Sequence, residues 1–180
     1  QANEQEAVGR VVRLIREHRP QAVMTHDEMG GYFHPDHIMC WKITTAAFHA
    51  AGDPNQYPDF GPAPFQPERL YYTAFSNRWV KFVIFLFRLR GKDPTKWGRN
   101  QDIDMTKVGV DPEKITTVID YRAYWDVKRQ AGAQHSSQGG GTSFSRLLPQ
   151  WLQKQVFGKE TFIRAYPPMP NGRRETSFFD

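Results

Sequence analysis

The order of apolar segments predicts an α/β domain with a mostly parallel sheet. An amphipathic helical pattern at 3–18 precedes a short apolar run at 21–25, a glycine turn and a second helical pattern at 35–51. That succession is how parallel sheets are assembled. A run rich in β-formers at 70–75 supplies the strand to which such a unit returns. At 180 residues the chain is long enough for one domain with a buried core.

In the first helix Val8, Val11, Val12 and Ile15 recur at i, i+3, i+4 and i+7, with Arg10, Arg13, Arg16 and Glu17 on the other faces. Pro20 ends it, and 21–25 has the length and composition of a buried strand. Ligands of parallel α/β sheets gather beyond the carboxyl ends of the strands. The next residues, Asp27-Glu28-Met29-Gly30-Gly31-Tyr32-Phe33-His34-Pro35-Asp36-His37, fall there.

Pro35 suits the first position of a helix, since its missing N–H is a donor left unpaired there anyway. His34 then sits at the N-cap and His37 one turn on, which brings the two rings to one side of the helix mouth. Two imidazoles, carboxylates and a phenol around a glycine hinge suit a metal or proton-transfer site, and the same pair also fits surface or capping histidines. The helix at 35–51 carries Ile38, Trp41, Thr45 and Phe48 along one stripe, and Gly52 stops it.

The segment 52–67 holds Pro54, Pro58, Pro62, Pro64 and Pro67, with Tyr57, Phe60 and Phe65 as aromatic anchors, and is expected to be an ordered loop. The apolar run 79–89, broken only by Lys81 and Arg88, is too short to span a bilayer. It is expected to be a core or subunit-interface helix, with a substrate lid or a membrane-surface element as the other readings. Polar, turn-rich sequence follows at 91–112. A third strand is expected at 115–120, helices at 121–134 and 147–157, and a last strand at 160–166. His135 and Gln138, beside Gly139-Gly140-Gly141, fit either a helix cap or a ligand contact.

The net charge of +5 is spread along the chain without a polybasic tract, so no nucleic-acid partner is expected. Cys40, the single cysteine, excludes an internal disulfide framework and fits a reducing, cytoplasmic setting.

The run Gly30 to Ile38, the His-x-Ser-Gln ending at Gln138 and Glu160-Thr161-Phe162 resemble the LmbE-like, PIG-L zinc-dependent deacetylases. With Ile38-Met39-Cys40, Ala50-Ala51-Gly52-Asp53 and Leu70-Tyr71-Tyr72, the pattern is most similar to the mycothiol-conjugate amidase branch of that family. The resemblance implies a Rossmann-like fold and hydrolysis of an amide on a glucosamine nitrogen, the substrate being a small N-acylated amino-sugar conjugate. It implies one catalytic Zn2+ with His37 as a ligand, and His34 as a cationic acid or oxyanion stabiliser oriented and charged by Asp36. Tyr32 would stand near the tetrahedral intermediate, and Asp27, His135 and Gln138 would contact substrate. Such donors would also accept iron or cobalt.

The family's earlier His-Pro-Asp-Asp type motif, which supplies two further zinc ligands and the general base, has no match here. The expectation is therefore a C-terminal portion of one family domain, its N-terminal strands lying upstream and 168–180 forming a tail, inactive by itself. His26, Asp27 and Glu28 are the other early candidates, and a site built from His26, His34 and His37 would not be the family's. Two other readings stand beside the hydrolase: a catalytically incomplete sugar-binding module, and a membrane-peripheral protein using 79–89. The same apolar segment suggests homo-oligomerisation.

Overall fold

The structure, a computed structural model, describes residues 3–98, 101, 103–134, 149–170 and 173–179. Helix α1, Glu4–His18, starts at Asn3, whose side chain accepts from the Gln5 N–H at 3.0 Å. It ends at Arg19 in the left-handed conformation, where the Arg19 N–H reaches the Ile15 carbonyl. Strand β1, Ala22–Thr25, leads into a single distorted turn α2, Gly30–Phe33, and then helix α3, Pro35–Ala51. Strand β2, Arg69–Thr73, runs parallel to β1 in the register Val23 to Leu70 and Thr25 to Tyr72. Next come α4, Asn77–Leu89; β3, Thr117–Asp120; α5, Trp125–Ala133; α6, Gln150–Phe157; and β4, Lys159–Tyr166.

The α/β expectation holds, and the sheet is mixed. Its order is β1-β2-β4-β3, with β1 parallel to β2 and β4 antiparallel to β2. β1 lies at one end of that order, so its burial is partial: Thr25 is buried while Met24 is 47% exposed. The helix expected over 121–134 begins instead with a 3-10 turn, Arg122–Tyr124, before α5.

The chain divides into two compact units. The first comprises Gln1–Thr117 and Thr161–Arg174, the second Val118–Glu160 and Glu175–Asp180. The core of the first is the α1–α3 contact, where Val8, Val12 and Ile15 meet Ala47, Ala50 and Ala51, with Ile43, Tyr57 and Phe65 packed around them. Three alanines on α3 let the helices approach closely enough for the valines to be fully covered. In the second unit Tyr121 stacks on Trp125, Lys128 lies over the Tyr121 ring and pairs with Glu160, and Arg122 pairs with Asp120 and donates to Gln155 at 2.8 Å.

Arg16 departs from its place on the polar face of α1. It is 2% exposed, and its guanidinium donates to the carbonyls of Ala50, Ala51, Asp53, Gln56, Tyr57 and Phe60 at 2.8–3.4 Å. A cation at the C-terminus of α3 meets the negative end of the helix dipole and satisfies carbonyls that have no partner in the helix. It also fastens the proline-rich loop to α1, which is why that loop is ordered. α4 overturns one of its expected readings, that of a core helix. Only Val80 is buried, while Phe82, Phe85 and Leu89 are 49%, 56% and 68% exposed.

Replacing Arg16 by Met keeps most of its volume but strands several buried carbonyls, and should cost about 3 kcal/mol or more of stability. A denaturant midpoint unchanged from wild type would contradict the role given to Arg16.

Candidate active site

The site lies where β1 and β2 end. Asp27, 6% exposed, closes the turn after β1: its carboxylate oxygen accepts the Gly31 N–H at 2.7 Å and its carbonyl accepts the Gly30 N–H at 2.9 Å. Gly30 and Gly31 both have positive φ, +59° and +74°, which L side chains rarely adopt. A Cβ on Gly30 would also come within 2.8 Å of the Ile38 nitrogen. The turn therefore demands glycine on conformational and steric grounds. Asp27, expected among the substrate contacts, has the geometry of an anchor for this turn.

The entrance of α3 has the geometry read from the sequence. His34 is the N-cap and Pro35 the first helical residue. The His34 Nδ1 accepts the Asp36 N–H at 3.2 Å, so in this state the ring carries no proton on Nδ1. The Asp36 carboxylate stands 3.9 Å from that same nitrogen and is 90% exposed, so it faces His34 across solvent. His37 behaves differently. Its Nδ1 is 3.1 Å from the Gly30 carbonyl, which only accepts, so Nδ1 bears the hydrogen and Nε2 keeps a free lone pair. A backbone carbonyl fixing one ring nitrogen is the usual support of a metal-binding imidazole.

Three rings meet at this mouth. Tyr32 stands edge-on to His34 and His37 at 5.8 and 5.2 Å, and the two imidazoles lie 4.8 Å apart. His26, directly after β1, stacks on His37 at 4.1 Å with 3° between planes. The sequence offered His26 beside His34 and His37 as a candidate, and the structure adds that it stacks on His37. Burial, then the neighbouring His37, pushes its pKa below the usual histidine value, with Asp27 opposing.

Beside the rings opens a cavity of about 470 Å³. His26, Tyr32 and His37 form its polar end, and Thr73 at the end of β2, Phe75 just after it, Trp79 on α4 and Trp97 form its other walls. Thr73 and Phe75 were missed, and they sit at the end of the second parallel strand, where the rule for parallel sheets points. His135 and Gln138 lie outside the described residues.

The donor set can be tested against zinc. Catalytic zinc usually takes three protein ligands. Among the described residues no three His, Cys, Asp or Glu side chains converge on a metal position. Nor can His26 join His37 in this geometry, because an ion lies near the plane of each ligating imidazole and two stacked, near-parallel planes share no such point. The described residues of this chain thus supply one oriented donor, His37, and do not complete a zinc site.

Since folding lowers the pKa of His26, the unfolded chain binds the extra proton first. Stability should therefore be unaffected by this group well above the ordinary histidine value of about 6.5, and should fall as pH drops through that value toward the depressed one. Proton NMR of the metal-free chain should show a histidine titrating below the ordinary histidine value and missing in His26→Gln. A His26 resonance titrating at or above the ordinary value would contradict the assignment.

Residues 1–48 match the family model described as PIG-L, GlcNAc-PI de-N-acetylase. The chain is 51% identical, over 87% of its length and 53% of the relative, to the mycothiol S-conjugate amidase of Streptomyces coelicolor. It is 36% identical, over 85% of its length and 51% of the relative, to a 1D-myo-inositol 2-acetamido-2-deoxy-alpha-D-glucopyranoside deacetylase of Rhodococcus jostii. It is 34% identical, over 99% of its length and 59% of the relative, to a protein of the same description, numbered 1, from Frankia casuarinae. The chain thus spans about half the length of the curated relatives it matches. On this likeness, the chain is similar to the PIG-L family over residues 1–48 and to about half of each of these deacetylases and amidases along most of its own length.

Proposed function

We propose that this chain forms one wall of the active site of an amide hydrolase acting on a small N-acylated amino-sugar conjugate, of the deacetylase or mycothiol-conjugate amidase type. The observation that carries the reading is the meeting of Tyr32, His34 and His37 at the mouth of α3, where Tyr32 and His37 line a cavity. The names of the relatives, a deacetylase of an acetamido sugar and an amidase of mycothiol conjugates, support the substrate class. A cytoplasmic location goes with the same reading.

Amide hydrolysis places negative charge on the former carbonyl oxygen and needs a proton for the departing amine. His34 serves both needs when protonated. Protonation fills Nδ1, which removes the acceptor for the Asp36 N–H and turns the ring toward the Asp36 carboxylate as its partner. The Tyr32 phenol, edge-on to His34, donates a second hydrogen bond to the developing oxyanion. His37, held by Gly30, keeps its Nε2 lone pair turned away from the turn and is the zinc ligand of this proposal, the other ligands and the general base lying outside the described residues. His135 and Gln138 are assigned to substrate contact, with Asp27 acting through the turn it holds. The whole chain is proposed as a portion of a single family domain, with 168–180 as its tail.

A catalytically incomplete sugar-binding module is the second reading, favoured by the absence of a complete metal group among the described residues. Activity of the full-length protein on an N-acetylglucosaminyl substrate and on a thioether conjugate of mycothiol separates the two. The hydrolase reading expects turnover with kcat reduced about 10²–10³-fold in His34→Ala, less in Tyr32→Phe, and zinc content lost in His37→Ala. Sugar binding without turnover in the metal-replete wild type would leave the second reading standing.

A further inference from the structure

α4 has two unlike faces. Its inner side, Trp79, Val80 and Val83, lines the cavity beside the imidazoles. Its outer side shows Phe82, Phe85 and Leu89, which at helical spacing form one stripe. Leu89 is 68% exposed, so the stripe stands in solvent among the described residues. Arg78 lies on the same side, and Lys81 and Arg88 border it two turns apart, all three exposed. Past the helix Arg90 and Lys92 continue the basic run, and no acidic residue occurs between Asn77 and Lys92. Aromatic and aliphatic side chains outward, flanked by cations on long stems and by no anion, is the composition of a helix that lies in a bilayer interface. With 13 residues α4 is too short to cross one, and among the described residues no helix is long and apolar enough to do so.

From these observations we infer that the outer face of α4 docks the protein on an anionic lipid bilayer, with Phe82, Phe85 and Leu89 in the headgroup–acyl boundary and Lys81 and Arg88 on the lipid phosphates. Charge complementarity selects this occupant. A second copy of the chain would bring the five cations of 78–92 against their own equivalents, whereas an anionic leaflet attracts each of them. The inference is independent of the hydrolase proposal, because binding is read without turnover.

The test uses the full-length protein and vesicles of phosphatidylcholine, alone or mixed with phosphatidylglycerol. The expected result is co-sedimentation with the phosphatidylglycerol mixture only, weakened by salt. Phe85→Asp should weaken binding about tenfold or more, and the double change Lys81→Glu with Arg88→Glu should abolish the preference for anionic vesicles. The charge reversals leave the apolar stripe intact and keep the test valid if Phe85→Asp fails to fold. Absence of binding to the anionic vesicles overturns the inference. So does a concentration-dependent dimer that Phe85→Asp dissolves in a protein indifferent to vesicles, a result that assigns the face to a second copy.

Discussion

The hydrogen bond from the Gly31 N–H to the buried Asp27 carboxylate sets the geometry of everything chemical in this chain. It closes a turn that only glycines can make at positions 30 and 31, and that turn delivers the Gly30 carbonyl to the His37 Nδ1. One carboxylate thereby fixes both the path of the backbone and, through a carbonyl, the tautomer of an imidazole. The Nε2 lone pair of His37 follows from a constraint several bonds away. Because Asp27 is buried and used in this way, its value to the site is positional, and the side chains that line the polar end of the cavity are those of His26, Tyr32 and His37.

α3 transmits a second constraint. Its N-terminus carries His34 and His37, and its C-terminus is gripped by the Arg16 guanidinium, which also holds the loop after it. A helix pinned at one end by a charge and packed along its length on α1 cannot shift its other end without cost. The rigid seat of the imidazoles is therefore built partly by a residue far from them. The arrangement pairs a positive group with the carbonyl end of the helix dipole, so its attraction and its hydrogen bonds act in the same direction.

Local chemistry made much of this legible in the sequence. The Val8–Ile15 stripe, His34 as N-cap and Pro35 as first helical residue depend on neighbours a turn away, and each stands where the spacing put it. Placing the site after β1 needed only the rule that ligands gather at the carboxyl ends of parallel strands. What was not legible depends on distance in the chain. Arg16 reads as one more surface cation because its acceptors are 34 to 44 residues away. The stacking of His26 on His37 needs the turn between them to be folded. The core reading of α4 failed for a different reason: an apolar run implies burial in general, and here the burial is restricted to Val80 while the apolar stripe faces out.

The zinc question is narrowed by the same geometry. One imidazole is oriented for a ligand, and a second is stacked where it cannot share the ion. The most direct measurement is the nitrogen-15 spectrum of the His37 ring in the metal-free chain. A hydrogen on Nδ1 and a bare Nε2, both lost when Asp27 is changed to Ala, is the result expected if the Asp27 turn sets the tautomer. A neutral His37 protonated on Nε2, or a tautomer indifferent to Asp27, would contradict it.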